Sequence, residues 1–429
     1  MRCNYSCGSD EHLLHRRKFL GAAAAGLGGV VAGLGAFARP SLAGALESSQ
    51  RRVLVFNMHG GLSQLESWDP KPGTPTGGPF RAIPTSVPGV HISELLPMTA
   101  RQMHRLTIAR GVNTAEDDHG KGAYLMTTGR RSTPAANYPI VGAVMAKSLA
   151  PADSPLPGHI VITPGGGGGR SNDAAYLGPK YGSVVLGNGQ PPQYSSRPAT
   201  ADAAALADRD ALRHRADDRF TRRRRTAQTD AFTYSYDQAL QLMERRQVFD
   251  VTKEPEKDLD RYGRHDLGRH CLLARRLLNH GISFVQVTHS NYDTHNENFD
   301  FHLEQVGEFD RPFACLVQDL ADSGMLDGTL IVVMSEFGRT PNINLYYGRD
   351  HWSKAWSVVL GGARIPRGFV HGKTDAKGTA VVDGQIDAAN LFHTYLQAVG
   401  INSTESIVVD GRETPIADPA SAPVKELLT

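Results

Sequence analysis

The stretch Leu330–Trp352, LIVVMSEFGRTPNINLYYGRDHW, decides how this chain reads. Its apolar run Leu330–Met334 ends abruptly in Ser335-Glu336-Phe337-Gly338-Arg339, and a short loop later comes Arg349-Asp350-His351-Trp352. A short apolar run bounded by turn residues suits a strand buried on both faces, as in parallel sheets covered by helices. Ligands and catalytic groups of such sheets collect where the strands end. A carboxylate, a guanidinium and an Asp-His pair at that position are hard to explain by packing alone.

Working outward, the same pattern recurs. Arg52–Met58 reads as a buried strand running into His59-Gly60-Gly61, where paired glycines let the backbone turn sharply and approach a ligand. Leu106–Arg110 reads as a second strand, leading to Asp117-Asp118-His119-Gly120 and a helix that stops at Gly129. His159–Ile162, Phe284–Val287 and Trp356–Leu360 are further strands; Pro139–Leu149, Leu267–Leu278 and Ala388–Val399 have helical spacing, with Gly281 a stop signal. Phe299 to Leu320 is another helical pattern, in which Pro312 should kink or divide the helix. Strands alternating with helices imply a three-layer α/β/α sandwich with a mainly parallel sheet. Thr163–Pro198 is rich in Gly and Pro, and Gly165–Gly169, which lacks the ending of a phosphate-binding P-loop, reads as a mobile surface loop. Ala201–Arg246 is charged and helical; acids interleave with its basic run Arg222–Arg225, so it reads as a solvated insertion or lid.

The N-terminus speaks to compartment. His15-Arg16-Arg17-Lys18-Phe19-Leu20 precedes a soft apolar stretch, Gly21–Ala38, and the small-x-small site Ser41-Leu42-Ala43. These are the parts of a twin-arginine export signal, which sets residues 1–43 apart from a single domain over 44–429 and points to the periplasm or cell surface, with membrane contact only during export. A formal net charge of +2 gives no sign of a nucleic-acid partner. Cys271 and Cys315 lie in apolar helical patterns, so a buried free pair is expected, with a disulfide between them the alternative.

Four polar clusters follow the strands: His59 with Ser63, Glu66 and Asp69; Asp117-Asp118-His119; Asp293-Thr294-His295; and Glu336 with Arg339, Asp350 and His351. In a parallel sheet these ends share one edge, so the clusters converge. Oxygen and imidazole groups of this kind suit one divalent metal, whether zinc, manganese, calcium or magnesium, which polarises an ester or activates water. Each cluster also has a plainer explanation. Asp293 can cap a helix, Glu336 and Arg339 can pair, Asp350-His351 can clasp a loop, and Ser63 can serve a turn. His119 can cap the backbone, bind metal, or act as base or nucleophile. Lys121 near that helix start can bind an anion.

Taken together, HGGLSQLESWDPKPG, YLMTTGRR, EPEKDLDRYGRHDLGRHCLLARRLLNHGISFVQV, YDTHNENFDFH, GMLDGTLIVVMSEFGRTPNIN and GRDHW resemble the exported bacterial domain of unknown function 1501 (DUF1501) over nearly all of the chain beyond the signal. That family is placed with the alkaline phosphatase and sulfatase superfamily, so the resemblance implies an alkaline phosphatase-like fold and a hydrolase of phosphate or sulfate esters, on a small molecule or a polysaccharide. Glu336, Phe337 and Gly338 stand where a sulfatase places Asp-His or Asp-Asn and Gly. His119 falls where a sulfatase places its nucleophile, without the flanking modification motif. His59 falls near the first-strand metal-binding Asp, and Asp293 with His295 resembles the superfamily's Asp-x-x-x-His at shorter spacing. On this resemblance Asp293, His295, Glu336 and His351 hold one metal, with His59 and Asp350 in reserve. His119 attacks the ester or serves as general base, and Arg339 and Lys121, with Arg349 as alternative, offset developing charge. The departures at Phe337 and His119 support a second expectation, a non-catalytic protein that binds carbohydrate or an envelope partner on the same scaffold.

Overall fold

Strand β1, Arg52–Met58, lies at the middle of a nine-stranded sheet. Side chains alternate across a strand, and here Leu54, Phe56 and Met58 enter one hydrophobic core while Val53 and Val55 enter another. A computed structural model describes residues 50–429 except 135, 152, 153, 167, 171, 193, 194, 197–201, 225, 226 and 410. The export segment, Gly167 and the side chains of Arg222–Arg225 lie outside the described residues.

The other sheet strands are β2 (Leu106–Val112), β3 (His159–Thr163), β4 (Gly168–Arg170), β5 (Val184–Gly187), β6 (Phe284–His289), β7 (Thr329–Met334), β8 (Trp356–Gly361) and β9 (Phe369–His371), in the order β9-β2-β8-β7-β1-β6-β3-β5-β4. Val55 of β1 sits between Gln286 of β6 and Val332 of β7, both in parallel register. Only β8, antiparallel to β2 and β7, and β4, antiparallel to β5, run the other way. Consequently β1, β2, β6 and β7 all end at the same edge.

Helices cover both faces. The Leu54 face meets α5 (Asp266–Asn279) and α6 (Asn298–Asp322); Phe56 packs edge-on against Phe309 and Phe313 of α6, with ring centres 5.6 and 5.1 Å away. The Val53 face meets α1 (His119–Thr128), α2 (Val141–Leu149) and α7 (Ala388–Ala398). The expected three layers are therefore present. Helix α5 buries nine residues, among them Leu272, Leu273, Leu277 and Leu278. Each such leucine contributes about 1.5–3 kcal/mol on leaving water.

The structure adds detail to the sequence pattern. Pro312 lies inside α6 without dividing it. Gly168–Arg170, read as surface loop, is an edge strand: glycine leaves no side-chain pattern, and β4 is joined to β5 through its backbone. Strand β8 enters the sheet antiparallel, a direction that a run buried on both faces does not disclose. Cys271 and Cys315 are both free and buried. The 201–246 segment contains two helices, Ala203–Arg224 and Ala227–Glu244, pinned together where Arg213 meets Asp210, Asp217 and Asp237. Among the described residues no helix is long and apolar enough to cross a membrane.

Candidate functional site

The loops that leave β1, β6 and β7 interlock. Gly60 and Gly61 have φ of 114° and 88°, a region that disfavours any side chain. Space forbids one as well: a Cβ on Gly60 would stand 2.6 Å from the Asp293 main-chain nitrogen, and one on Gly61 would stand 2.8 Å from the Phe337 ring. Ser335 Oγ accepts from the Gly61 and Leu62 N–H groups at 3.1 Å and donates to Met58 O at 2.6 Å. Gly60 N–H donates to Glu336 Oε1 at 2.9 Å.

On this frame three imidazoles turn toward one carboxylate. The Nε2 atoms of His295, His351 and His119 stand 3.0, 3.2 and 3.3 Å from the oxygens of Asp293. Behind each ring, Nδ1 meets an oxygen: Glu336 Oε1 at 2.7 Å for His119, Asp350 Oδ1 at 2.8 Å for His295, and the Asp117 carbonyl at 2.7 Å for His351. An oxygen acceptor behind Nδ1 favours a proton there; a neutral ring then has its lone pair on Nε2, whereas a charged ring donates from both nitrogens.

This creates an electrostatic conflict. His295 Nε2 and His351 Nε2 are 3.0 Å apart, and both face Asp293 Oδ1. His119 Nε2 is buried and makes no hydrogen bond; its approach to Asp293 Oδ2 has the distance of an ion pair but not the angle of a hydrogen bond. Groups held this closely need positive charge among them; Arg339 supplies one at Asp293 Oδ1, and protonated rings or a bound cation would supply the rest. His119, Asp293 and His351 each offer a ligand atom within 4.8 Å of the other two, and ligands held about 2.1 Å from a tetrahedral zinc ion lie about 3.4 Å apart; His295 stands outside that trio, its Nε2 3.0 Å from that of His351. The donor set of His119, His351 and Asp293, with both rings braced from behind and His295 beside them, fits a bound divalent metal. Burial works against the charged form of Asp293, but Arg339 and His351 outweigh it and hold the carboxyl down at about 2.

The remaining candidates take supporting places. Glu336, expected as a ligand, is buried behind His119 and braces it. Asp350 does the same for His295 from an exposed position. Arg339 has a fully buried side chain that donates to Asp293 Oδ1 at 2.6 Å and to the carbonyls of Gly60, Gly61 and Arg349. It has no surface left for a transferred group, so its role is to hold Asp293. Arg349 is equally buried and forks onto Glu66 at 2.8 and 3.1 Å. Desolvation opposes the charge on Glu66, yet Arg349 keeps its pKa below the ordinary value. Ser63 and Asp69 are also turned inward: Ser63 N–H donates to His302, and Asp69 pairs with Lys71. Lys121 is exposed on the first turn of α1, whose cap is Asp118. His59 is exposed, with its ring stacked 6.3 Å from that of His119. Phe337 is buried against the rings of His119 and His351, at 4.8 and 4.4 Å.

Sequence reasoning missed Asn344, whose Nδ2 donates to His295 O at 2.8 Å and Asp350 Oδ1 at 3.3 Å. A lone Asn in a polar loop carries no distinguishing signal. A second set of metal-type groups, Asp210, His214 and Asp237, already surrounds the Arg213 guanidinium, which meets both carboxylates.

Fold and site thus define a mixed α/β protein with a candidate metal centre where its parallel strands end. The chain belongs to the family described as protein of unknown function (DUF1501), which matches residues 50–428. No curated protein matches it. Among solved structures it is similar to the PsFucS1 sulfatase from Pseudoalteromonas sp., at 14% identity over 85% of this chain and 72% of that one, with a TM-score of 0.40. It is similar also to an alkaline phosphatase superfamily protein from Vibrio parahaemolyticus (11% identity, 88% and 71% covered, TM-score 0.37). A third is the alkaline phosphatase from the Antarctic bacterium TAB5 (13% identity, 82% and 98% covered, TM-score 0.32).

Proposed function

We propose that this chain is an exported hydrolase of phosphate or sulfate esters that works with one divalent metal. The observation that carries the reading is the convergence of three imidazole Nε2 atoms on Asp293 at the edge where β1, β2, β6 and β7 end, with His119 and His351 close enough to share a cation with it. An imidazole-rich set favours zinc, or another late first-row metal, over calcium and magnesium, which prefer oxygen. When bound, such an ion supplies Lewis-acid polarisation of the ester and a more acidic water.

The chain's own residues do the rest. His119, His351 and Asp293 form the ligand set, with His295 beside them; Glu336, Asp350 and the Asp117 carbonyl brace the rings from behind; Arg339 keeps Asp293 charged. With Nε2 of His119 in the ligand set, the exposed ring of His59 takes the proton from the attacking water. Lys121, exposed on the first turn of α1, draws in the anionic ester. Phe337 fills the space beside His119 and His351 where the sulfatase pattern would place another ligand, which favours one metal over two.

The test is elemental analysis of the purified chain, followed by hydrolysis of aryl phosphate and aryl sulfate esters before and after chelation. One equivalent of metal, with chelator-sensitive hydrolysis of either ester, supports the proposal. A stoichiometric metal without turnover of any ester would leave the binding-protein alternative in its place.

A further inference from the structure

Beside the candidate metal centre, Leu345, Tyr346 and Tyr347 project into water with 94%, 72% and 72% of their surface exposed. Single exposed apolar residues are ordinary, but three in a row on a tightly held loop are not. The loop is built around Asn344. Its Oδ1 accepts from the Tyr346 and Gly348 N–H groups at 2.9 Å, while its Nδ2 reaches His295 O and Asp350 Oδ1. Glu297 N–H and Asn298 N–H donate to the carbonyls of Tyr346 and Tyr347 at 3.0 Å. Tyr347 adopts a φ of 56°, a left-handed backbone that a non-glycine residue takes only when its surroundings impose it. Gly348 has no room for a side chain, since a Cβ there would stand 1.8 Å from His295 O. The segment that carries His295 and the segment that presents the aromatic rings are therefore one stapled unit.

We propose that this loop is the saccharide-binding platform of the site: the faces of Tyr346 and Tyr347 receive sugar rings of a polysaccharide whose ester group lies at the Asp293 cluster. The second half of this statement rests on the hydrolase reading; the platform itself does not. Tyrosine combines a flat apolar face for sugar C–H groups with a hydroxyl for their oxygens. The site is also open, with about half of the side-chain surface of Asp293 and His295 exposed. Small-molecule sites enclose most of their ligand, whereas an open rim with protruding rings suits a chain-like substrate that extends past the reacting group.

The experiment is affinity electrophoresis of the full chain, metal-loaded and metal-depleted, in gels containing dextran sulfate or neutral dextran. The expected result is retardation of the native chain by dextran sulfate in both metal states. Replacing the rings, as Tyr346→Ala with Tyr347→Ala, should weaken binding about tenfold, with metal content unchanged. Tyr346→Phe with Tyr347→Phe should retain most of it, because the faces remain. The metal-depleted native chain scores the platform apart from the metal reading. Absence of retardation, equal binding by the double-alanine variant, or binding by these rings to anionic lipid vesicles instead of polysaccharide overturns the proposal.

Discussion

Glu336→Gln separates the brace behind His119 from the fold that holds it. Glu336 Oε1 meets His119 Nδ1 at 2.7 Å and Gly60 N at 2.9 Å, and Oε2 lies 3.0 Å from Ser335 Oγ. A glutamine amide in the same pose keeps its oxygen toward His119 and Gly60, and its NH2 faces Ser335 Oγ, whose own proton goes to Met58 O. Ser335 Oγ already accepts from the Gly61 and Leu62 N–H groups, so the added amide protons are poorly satisfied and unfolding free energy should fall by about 1–3 kcal/mol. What disappears is the negative charge behind a metal ligand. Losing an outer carboxylate of this kind typically weakens metal binding about 10–100-fold, or about 1.4–2.7 kcal/mol. Coulomb attraction allows as much: unit charges about 6 Å apart at an effective dielectric near 20 interact by about 3 kcal/mol. The assay is competition for zinc against a chromophoric chelator at neutral pH, with urea unfolding of the metal-free protein in parallel. A folded variant that binds zinc within about twofold of the native affinity would refute the assignment of Glu336 as the brace of a ligand.

Asp350→Asn removes the corresponding charge behind His295, but Asp350 is 56% exposed against 2% for Glu336, so solvent should cut the loss of zinc affinity to about threefold in the same competition assay. Arg349→Leu breaks a pair whose side chains are both fully buried, and should lower stability by about 3–5 kcal/mol in urea; Glu66→Leu added to it should recover part of that loss, and a cost under about 1 kcal/mol would contradict the pairing. Burial pushes His302 and His270 down to about 4 from an ordinary 6.5, so both stay neutral in the folded chain while the unfolded chain takes up protons. Their contribution is fully present above 6.5 and is lost as pH falls toward 4. Metal-free protein should lose about 2–3 kcal/mol per histidine between those limits, and His302→Gln should flatten the slope in urea titrations at several pH values.

The centre of the fold was legible because β1, β6 and β7 are buried on both faces, which leaves short, nearly pure apolar runs such as Leu330–Met334. Parallel strands end together, so the sequence also indicated that His59, His119, Asp293 and Glu336 would share a rim. Which oxygen stands behind which nitrogen is a different matter. Glu336 and His119 are 217 positions apart, and their contact depends on how the turns at Gly60 and Gly61 seat the loops. Sequence reasoning accordingly placed Glu336 among the ligands and His119 at the reaction, whereas the geometry sets Glu336 behind the ring. Arg339 looked available for a substrate because nothing in a sequence reports that Gly60, Gly61 and Arg349 would turn their carbonyls onto it. Short strands such as Val184–Gly187 and Gly168–Arg170 escaped notice because Gly-rich surroundings hide a ladder made by backbone alone.

The central claim is that one cation belongs among His119, Asp293 and His351. Its most direct test is anomalous scattering at the zinc edge from a crystal of the zinc-loaded chain. The expected result is a single strong peak about 2.0–2.2 Å from Nε2 of His119 and His351 and from an oxygen of Asp293. A zinc-loaded crystal with no peak there, or with its peak among Asp210, His214 and Asp237, would contradict it.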